Sequence, residues 1–392
     1  MVGCDADDKS PNGNCIKDGA LKKIAAMKVE KLKVQIAGRV WYEDQSKDGE
    51  WYFASDVCQL IMTDCSEIGD EGLIALVSKC ENLEVLKPPE SISDDVLKTI
   101  SDDDGSLTEI DLRRCTQVSP NSVAHIIRKC PNLRNILGWL EVSEVDGVQT
   151  LTGTPLVTDR VLDSFLRNTA FEGNSIAKTV KSVVLQGCRR ITDEGLTVLA
   201  TECESATKLV LSGCSIKLNG AVVAALKTRS LEHIDLSHCA DIRDDQICEL
   251  AESWGSSLTS IDVSGCRVVS SQLISALADH CPNLESFKGT TVLLKNPPVN
   301  DEASLLSDVE DGEKKRHRAL EELTTKLAKI CKGNKLHTLS LVGCTWLWEL
   351  GNDWYPDPGG GLRHICFNGC EMTTKQISHL AKTGLRTVEL AG

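Results

Sequence analysis

One phrase is written four times between Val180 and Phe287, and a fifth copy opens: VKSVVLQGC, ATKLVLSGC, LEHIDLSHC, LTSIDVSGC, then LESF. In register it reads L-x-x-L-x-L-x-x-C, with starts at residues 180, 206, 231, 258 and 284 and so a period of 25 to 27 residues. A period of that length marks a repeat protein, whose units cannot bury an apolar side alone and must stack. Within the phrase, Ile234-Asp235-Leu236 and Ile261-Asp262-Val263 alternate apolar and polar, as a strand with one wet face does. Behind the cysteine, ITDEGLTVLA (191–200) and IRDDQICELA (242–251) carry apolar residues at helical spacing, with Thr192, Asp193 or Asp244 placed to cap the helix. Each unit is predicted as one strand and one helix, and the fold as α/β with parallel strands.

Extending the register backwards finds starts at Val57 (running to Cys65), Leu83, Leu107 (running to Cys115) and Leu133. The phrase fails after Leu133, and the next start lies 47 residues on, so an insertion is expected near 138–156 before the helix-like VTDRVLDSFLRN. After Leu284 the next clear start is Leu336, 52 residues on. That interval holds a turn-rich stretch, the acidic SDVEDGE, the basic run Lys314 to Arg318 and the helical ALEELTTKLAKIC. One repeat with an insertion near 290–318 is preferred to two weak repeats, because no L-x-x-L-x-L text lies near residue 310. Ser307, before Asp308 and Glu310, suits an acidophilic kinase, and this insertion is expected to be mobile and regulatory. The basic run reads as a nuclear signal or as a solvated helix start.

The repeats resume at 336–344 and 362–370 and break off inside 385–392. The natural protein is expected to continue for at least one further repeat or cap. Residues 1–33 form a polar, then lysine-rich segment. Residues 34–56 gather two aromatic clusters about Asp48-Gly49 and are expected to be a β-hairpin capping the stack at 57–392, the alternative being a small binding module.

A net charge of -14 disfavours nucleic acid, which needs a cationic surface, and favours basic or apolar partners. No run of about 18 apolar residues and no apolar signal core occur, so no membrane association is expected. Thirteen of the eighteen cysteines fall on two recurring repeat positions. Cys65, Cys115, Cys188, Cys214, Cys239, Cys266, Cys344 and Cys370 end strands, whereas Cys80, Cys130, Cys203, Cys281 and Cys331 precede the next strand. Buried free thiols filling turns in a reducing compartment, cytoplasmic or nuclear, account for this placement. His233, His238, His280 and His364 lie near cysteines, but C-x-x-C is absent and no metal is expected. No nucleophile, phosphate-loop or metalloprotease motif occurs, and Gly359-Gly360-Gly361 reads as a loop. Neither enzyme activity nor a cofactor is expected.

The phrase and its helix, above all CRRITDEGLTVLATEC (188–203), resemble the cysteine-containing leucine-rich repeats of F-box/LRR proteins and of the antagonist of mitotic exit network family. The resemblance covers about residues 57 to 392. It implies a right-handed horseshoe with parallel strands on the concave face and helices on the convex face, and substrate selection for an SCF-type ubiquitin ligase. Residues 1 to 56 do not read as an F-box. Binding is then expected on outward strand positions: Leu137, Trp139, Val184, Gln186, Val210, His233, Asp235 and Asp262. Leu137, Trp139, Val184 and Val210 make an apolar island beside Asp235 and Asp262, the composition of a protein-binding anchor. The alternative is that the insertion after Gly138 folds back over the island. The rival to ligase substrate recognition is a regulatory repeat domain of a larger intracellular signalling protein.

Overall fold

The computed structural model describes residues 2–3, 36–37, 58–62, 68–78, 80, 82–103, 106–168, 176–266, 269–290, 292–293, 309–332, 335–344, 347–350, 354 and 361–391. The chain forms two compact units, Met1–Val180 and Lys181–Gly392.

In the first unit, β1 (Val2–Gly3) pairs in parallel with β2 (Ile36–Ala37); the rest of the expected 34–56 hairpin lies outside the described residues. Then β3 (Gln59–Ile61), β4 (Val85–Lys87), β5 (Glu109–Asp111) and β6 (Asn135–Leu137) pair in parallel in chain order. Leu60, Leu86, Ile110 and Ile136 stand in register and are fully buried, which is why a one-residue slip is forbidden: it would turn every leucine or isoleucine to water. Helices α1 (Asp70–Val77), α2 (Asp94–Asp103) and α3 (Pro120–Lys129) fill the returns between strands. After β6 the chain makes an antiparallel hairpin, β7 (Leu140–Val145) and β8 (Val148–Gly153), turning at Asp146-Gly147 with φ of 51° and 74°. Helices α4 (Asp159–Leu166) and α5 (Ile176–Thr179) follow.

The chain can leave the repeat after β6 because Gly138 adopts φ of 90°. A Cβ there would stand 2.8 Å from the Arg113 Cα and 3.0 Å from its backbone nitrogen, so both conformation and space demand glycine. Gly138→Ala is expected to destabilise the first unit by about 2 to 3 kcal/mol, whereas Gly147→Ala, which meets nothing within 4 Å, should cost about 1. Urea unfolding of the two variants side by side checks this. Equal losses would contradict the close approach to Arg113.

The second unit carries β9 (Ser182–Val184), β10 (Lys208–Val210), β11 (His233–Asp235), β12 (Ser260–Val263), β14 (Ser286–Thr290), β16 (Thr338–Val342), β17 (His364–Cys366) and β18 (Thr387–Glu389), each parallel to the next. Two short strands, β13 (Val269–Ser270) and β15 (Val292–Leu293), pair apart from that sheet. Helices α6 (Asp193–Glu202), α7 (Gly220–Lys227), α8 (Asp244–Trp254), α9 (Ser271–His280), α10 (Val309–Lys332) and α11 (Thr374–Leu380) complete the repeats. Val183, Leu209, Ile234, Ile261, Phe287, Leu339 and Ile365 stack in register at 0 to 1% exposure and form the spine of the core. β14 pairs directly with β16, so among the described residues no strand of this sheet lies between them. The basic run falls on the 24-residue α10, where Lys314, His317 and Arg318 are exposed; Ser307 lies outside the described residues.

Polar side chains tie each repeat to its neighbour. Thr192 caps its own helix, its side chain accepting from Glu194 N at 3.3 Å. Asp193 and Asp244, also expected as caps, instead begin their helices and accept backbone N–H groups of the following repeat. Asp193 takes those of Lys217, Leu218 and Asn219 at 2.8 to 3.1 Å; Asp244 takes that of Ser270 at 2.9 Å. Asp70 and Asp94 do the same for Ser93 and Ser119 in the first unit. In the other direction, the Gln246 amide donates to the Leu218 carbonyl at 2.7 Å and Trp254 Nε1 to that of Leu226 at 3.1 Å.

The strand-end thiols also bond across repeats. Cys214, Cys239 and Cys266 donate to the carbonyls of Leu185, Leu211 and Leu236, one repeat earlier, at 3.0 to 3.1 Å. Cys370 donates likewise to Leu341 at 2.7 Å, and Cys115 to Pro89 at 3.6 Å. Cys188 and Cys344 also approach carbonyls of their own strand ends, those of Gln186 and Val342, at 4.0 and 3.9 Å. None of the fifteen described cysteines forms a disulfide among the described residues, and Cys65 lies outside them. Burial pushes Cys115, Cys203, Cys214, Cys266, Cys281 and Cys331 up to about 12, and Cys188 and Cys239 up to about 11. Cys370 goes the other way, to about 7, because the Cys344 thiol hydrogen-bonds to it.

An unfolded thiol ionises near pH 9, so the raised thiols favour the folded state fully below that pH and progressively less as pH rises from about 9 to about 12. The urea midpoint should therefore fall steeply above pH 9, and unmodified protein in denaturant should titrate as eighteen thiols. A flat midpoint from pH 8 to 11 would contradict the burial of the thiol ladder.

At the turn before the strand-end cysteines of the second unit, Gly187, Gly213, Gly265, Gly343 and Gly369 have φ of 67 to 74°, and His238 occupies the same place with φ of 59°. Its imidazole lies where a Cβ on Gly265 would collide with it. A left-handed residue with a Cβ costs on the order of 1 kcal/mol, so His238→Gly should raise the melting temperature by about 2 °C or more. A lower melting temperature would show that the imidazole contributes more by lying over Gly265 than its backbone costs.

Candidate functional site

The outward strand positions of the second unit form rows fixed by the parallel register. One row runs Val184, Val210, Asp235, Asp262, Lys288, Ser340, Cys366 and Glu389. Beside it run Ser182, Lys208, His233, Ser260 and Ser286. Val184, Val210, His233, Asp235 and Asp262 are half-buried, and Gln186, Lys208 and Lys288 are exposed.

The aspartates hold the turns as well as facing out. Asp235 Oδ1 accepts the Ser237 N–H and Asp262 Oδ1 the Ser264 N–H, both at 2.9 Å, an Asx turn two residues on. The serine hydroxyls of Ser212 and Ser237 bond to each other at 2.8 Å. Asp262 Oδ2 stands 3.4 Å from Lys288 Nζ. Burial, followed by the field of Lys208, lowers the pKa of His233 below the usual imidazole value, so it serves there as a neutral donor or acceptor.

Leu137 and Trp139, the other half of the expected apolar island, belong to the first unit. Leu137 is half-buried on β6, in register with Asp111. Trp139 corrects the sequence reading: it is 2% exposed, and its Nε1 is buried with no hydrogen-bond partner among the described residues. The reason is local. Its N–H donates to the Ile136 carbonyl at 2.8 Å and its carbonyl accepts from Thr154 at 3.0 Å, pinning it at the base of the β7–β8 hairpin. On the same unit, Lys87 and Glu109 lie 3.6 Å apart, and Arg113 binds Asp111 through two nitrogens at 3.0 and 2.6 Å. Burial opposes ionisation of Asp111, but the Arg113 hydrogen bonds outweigh it and lower its pKa.

The sequence reading missed the acidic ladder of Asp70, Asp94, Asp193 and Asp244, whose signal is an aspartate in the first turn of successive helices. It also missed the hairpin, although EVSEVDGVQTLTG alternates about an Asp-Gly pair.

A cavity of about 220 Å³ at the turns, lined by Arg189, Ser215, Ile216, His238 and Asp241 among others, is smaller than the roughly 300 to 1,000 Å³ of small-molecule sites. Among the described residues no group of three His, Cys, Asp or Glu is arranged to hold a metal ion, and no helix is long and apolar enough to cross a membrane. The outward strand face is regular and extended, and repeat proteins use such faces to bind other proteins.

A family model described as Leucine Rich repeat matches residues 59–77 and 177–200. The antagonist of mitotic exit network protein 1 of Eremothecium gossypii is 28% identical over 200 residues, 49% of this chain and 47% of the relative. Its counterpart in Candida glabrata is 25% identical over 157 residues, 38% of this chain and 28% of the relative. The chain thus spans less than half the length of these curated relatives. Among solved structures, a chain of the yeast Rad7 and Elc1 complex aligns over 79% of this chain and 81% of its own length, at 17% identity and a TM-score of 0.36. The leucine-rich-repeat-containing protein LegL7 of Legionella pneumophila aligns over 81% and 86%, at 12% identity and a TM-score of 0.33. Its period, its stacked parallel strands and the family-model match at 59–77 and 177–200 make the chain similar to leucine-rich-repeat proteins, and its sequence is similar to that of the antagonist of mitotic exit network proteins.

Proposed function

We propose that this chain is a non-catalytic recognition scaffold that selects protein substrates for a cullin-type ubiquitin ligase, in the cytoplasm or nucleus. The observation that carries the recognition part is the row Val184, Val210, Asp235, Asp262: half-buried aliphatic side chains beside carboxylates on a regular sheet face. The ligase part rests on the resemblance of the cysteine-ended repeats to those of F-box/LRR proteins.

A second reading is a regulatory repeat domain within a larger intracellular signalling protein. Affinity purification from cells expressing the tagged full-length protein separates the two. Stoichiometric recovery of a cullin-ligase adaptor supports the first. Its absence, with a kinase or GTPase domain on the same polypeptide, supports the second.

A further inference from the structure

We propose that the strand face of the second unit takes an extended, basic segment of its protein partner, seating an aliphatic side chain on Val184 and Val210 and, two residues further on, a lysine or arginine on Asp235. This rests on the reading that the strand face is the binding face, and it specifies the chemistry of what binds there.

Three observations converge. The first is an uncompensated carboxylate. Asp262 has both oxygens engaged, Oδ1 by the Ser264 N–H and Oδ2 by Lys288, 3.4 Å away. Asp235, one strand away in the same row, has Oδ1 on the Ser237 N–H, and its Oδ2 has no partner among the described residues. Its nearest candidate cations do not close the gap: Lys208 makes no ion pair with it, and His233 is shifted toward its neutral form. A half-buried carboxylate in that state favours a cation brought by a ligand.

The second is the aliphatic neighbour. Val184 and Val210 stand side by side in register, half-buried, immediately before Asp235 in the row. Together they offer an apolar seat about two strands wide.

The third is spacing. Adjacent strands lie about 4.8 Å apart, so the centre of the valine pair is one and a half strand spacings, about 7 Å, from Asp235. An extended peptide lying across the strands presents every second side chain to the same surface, at intervals of about 6.6 Å. The match selects the pattern aliphatic-x-basic. A chain of net charge -14 also steers a basic segment toward it, whereas an acidic segment would have to settle beside Asp235 and Asp262.

The test is a display library of random twelve-residue peptides selected on the full chain, with enriched peptides synthesised and measured by fluorescence anisotropy. Enrichment of aliphatic-x-Lys or aliphatic-x-Arg is expected. Asp235→Asn keeps an oxygen for the Ser237 N–H and should weaken these peptides by about tenfold. Lys208→Ala should not weaken them. Peptides that depend on Val184 and Val210 but not on Asp235, or that carry no basic residue at this spacing, would overturn the proposal and leave the face reading standing. Peptides that bind a Val184→Ser, Val210→Ser double variant as tightly as the parent would overturn both. A selection that enriches no aliphatic-x-basic sequence also overturns the proposal.

Discussion

Truncating Trp139 to alanine is expected to cost the first unit about 3 to 5 kcal/mol, the price of removing a fully buried indole. The side chain is 2% exposed at the base of the β7–β8 hairpin, so the loss includes both its apolar area and the cavity left behind. Trp139→Phe separates packing from polarity. Nε1 is buried without a partner among the described residues, so its removal relieves an unsatisfied donor while most of the ring volume stays; the change should stay within about 1 kcal/mol of the parent. Urea unfolding followed by circular dichroism measures both. If Trp139→Ala leaves the midpoint unmoved and instead abolishes partner binding, the residue is a surface anchor and its placement here is wrong.

Asp193→Ala is expected to cost the second unit about 2 to 4 kcal/mol. One carboxylate accepts the backbone N–H groups of Lys217, Leu218 and Asn219, at 2.8, 3.1 and 3.0 Å. Between them Leu218 is fully buried and held at φ of 53°, a region that disfavours a branched side chain. Gln246, from the next repeat, holds the Leu218 carbonyl from the other side at 2.7 Å. Alanine would leave three donors without an acceptor and release the strained loop, whereas Asp193→Asn keeps one acceptor oxygen and should cost about half as much. A loss below about 0.5 kcal/mol for alanine would show that water replaces the carboxylate, and that the inter-repeat bridge is incidental.

These two residues mark where the sequence was and was not legible. The repeat is written in the strand phrase itself: Leu209, Ile234 and Ile261 are inward because period 2 and the 25 to 27 residue spacing leave no other register. The strand-end cysteines were legible as buried turn fillers for the same reason. That Cys214, Cys239 and Cys266 donate to the preceding repeat was not, because it depends on the stacking distance between units. Asp193 and Asp244 failed similarly. A helix-start aspartate looks like a cap for its own helix, and only the stack shows the next repeat's N–H groups above it.

Trp139 misled because it stands at an outward place of the phrase. Gly138, at φ of 90°, ends the phrase one residue earlier. On the candidate face, Val184, Val210, His233, Asp235 and Asp262 are half-buried and brought into adjoining rows by the register. The Asx turns that also employ the aspartates could have been read from the recurring Ile-Asp pair of the phrase.

The claim that the strand face of the second unit is the recognition surface is tested most directly by quantitative affinity purification of three versions of the chain. These are the parent, a Val184→Asp, Val210→Asp double variant, and Glu252→Arg on the exposed side of α8. Circular dichroism confirms that each is folded. The face variant is expected to lose its major co-purifying proteins by about tenfold or more, while Glu252→Arg retains them. Retention by a folded face variant, with loss on the helix variant, would contradict the account.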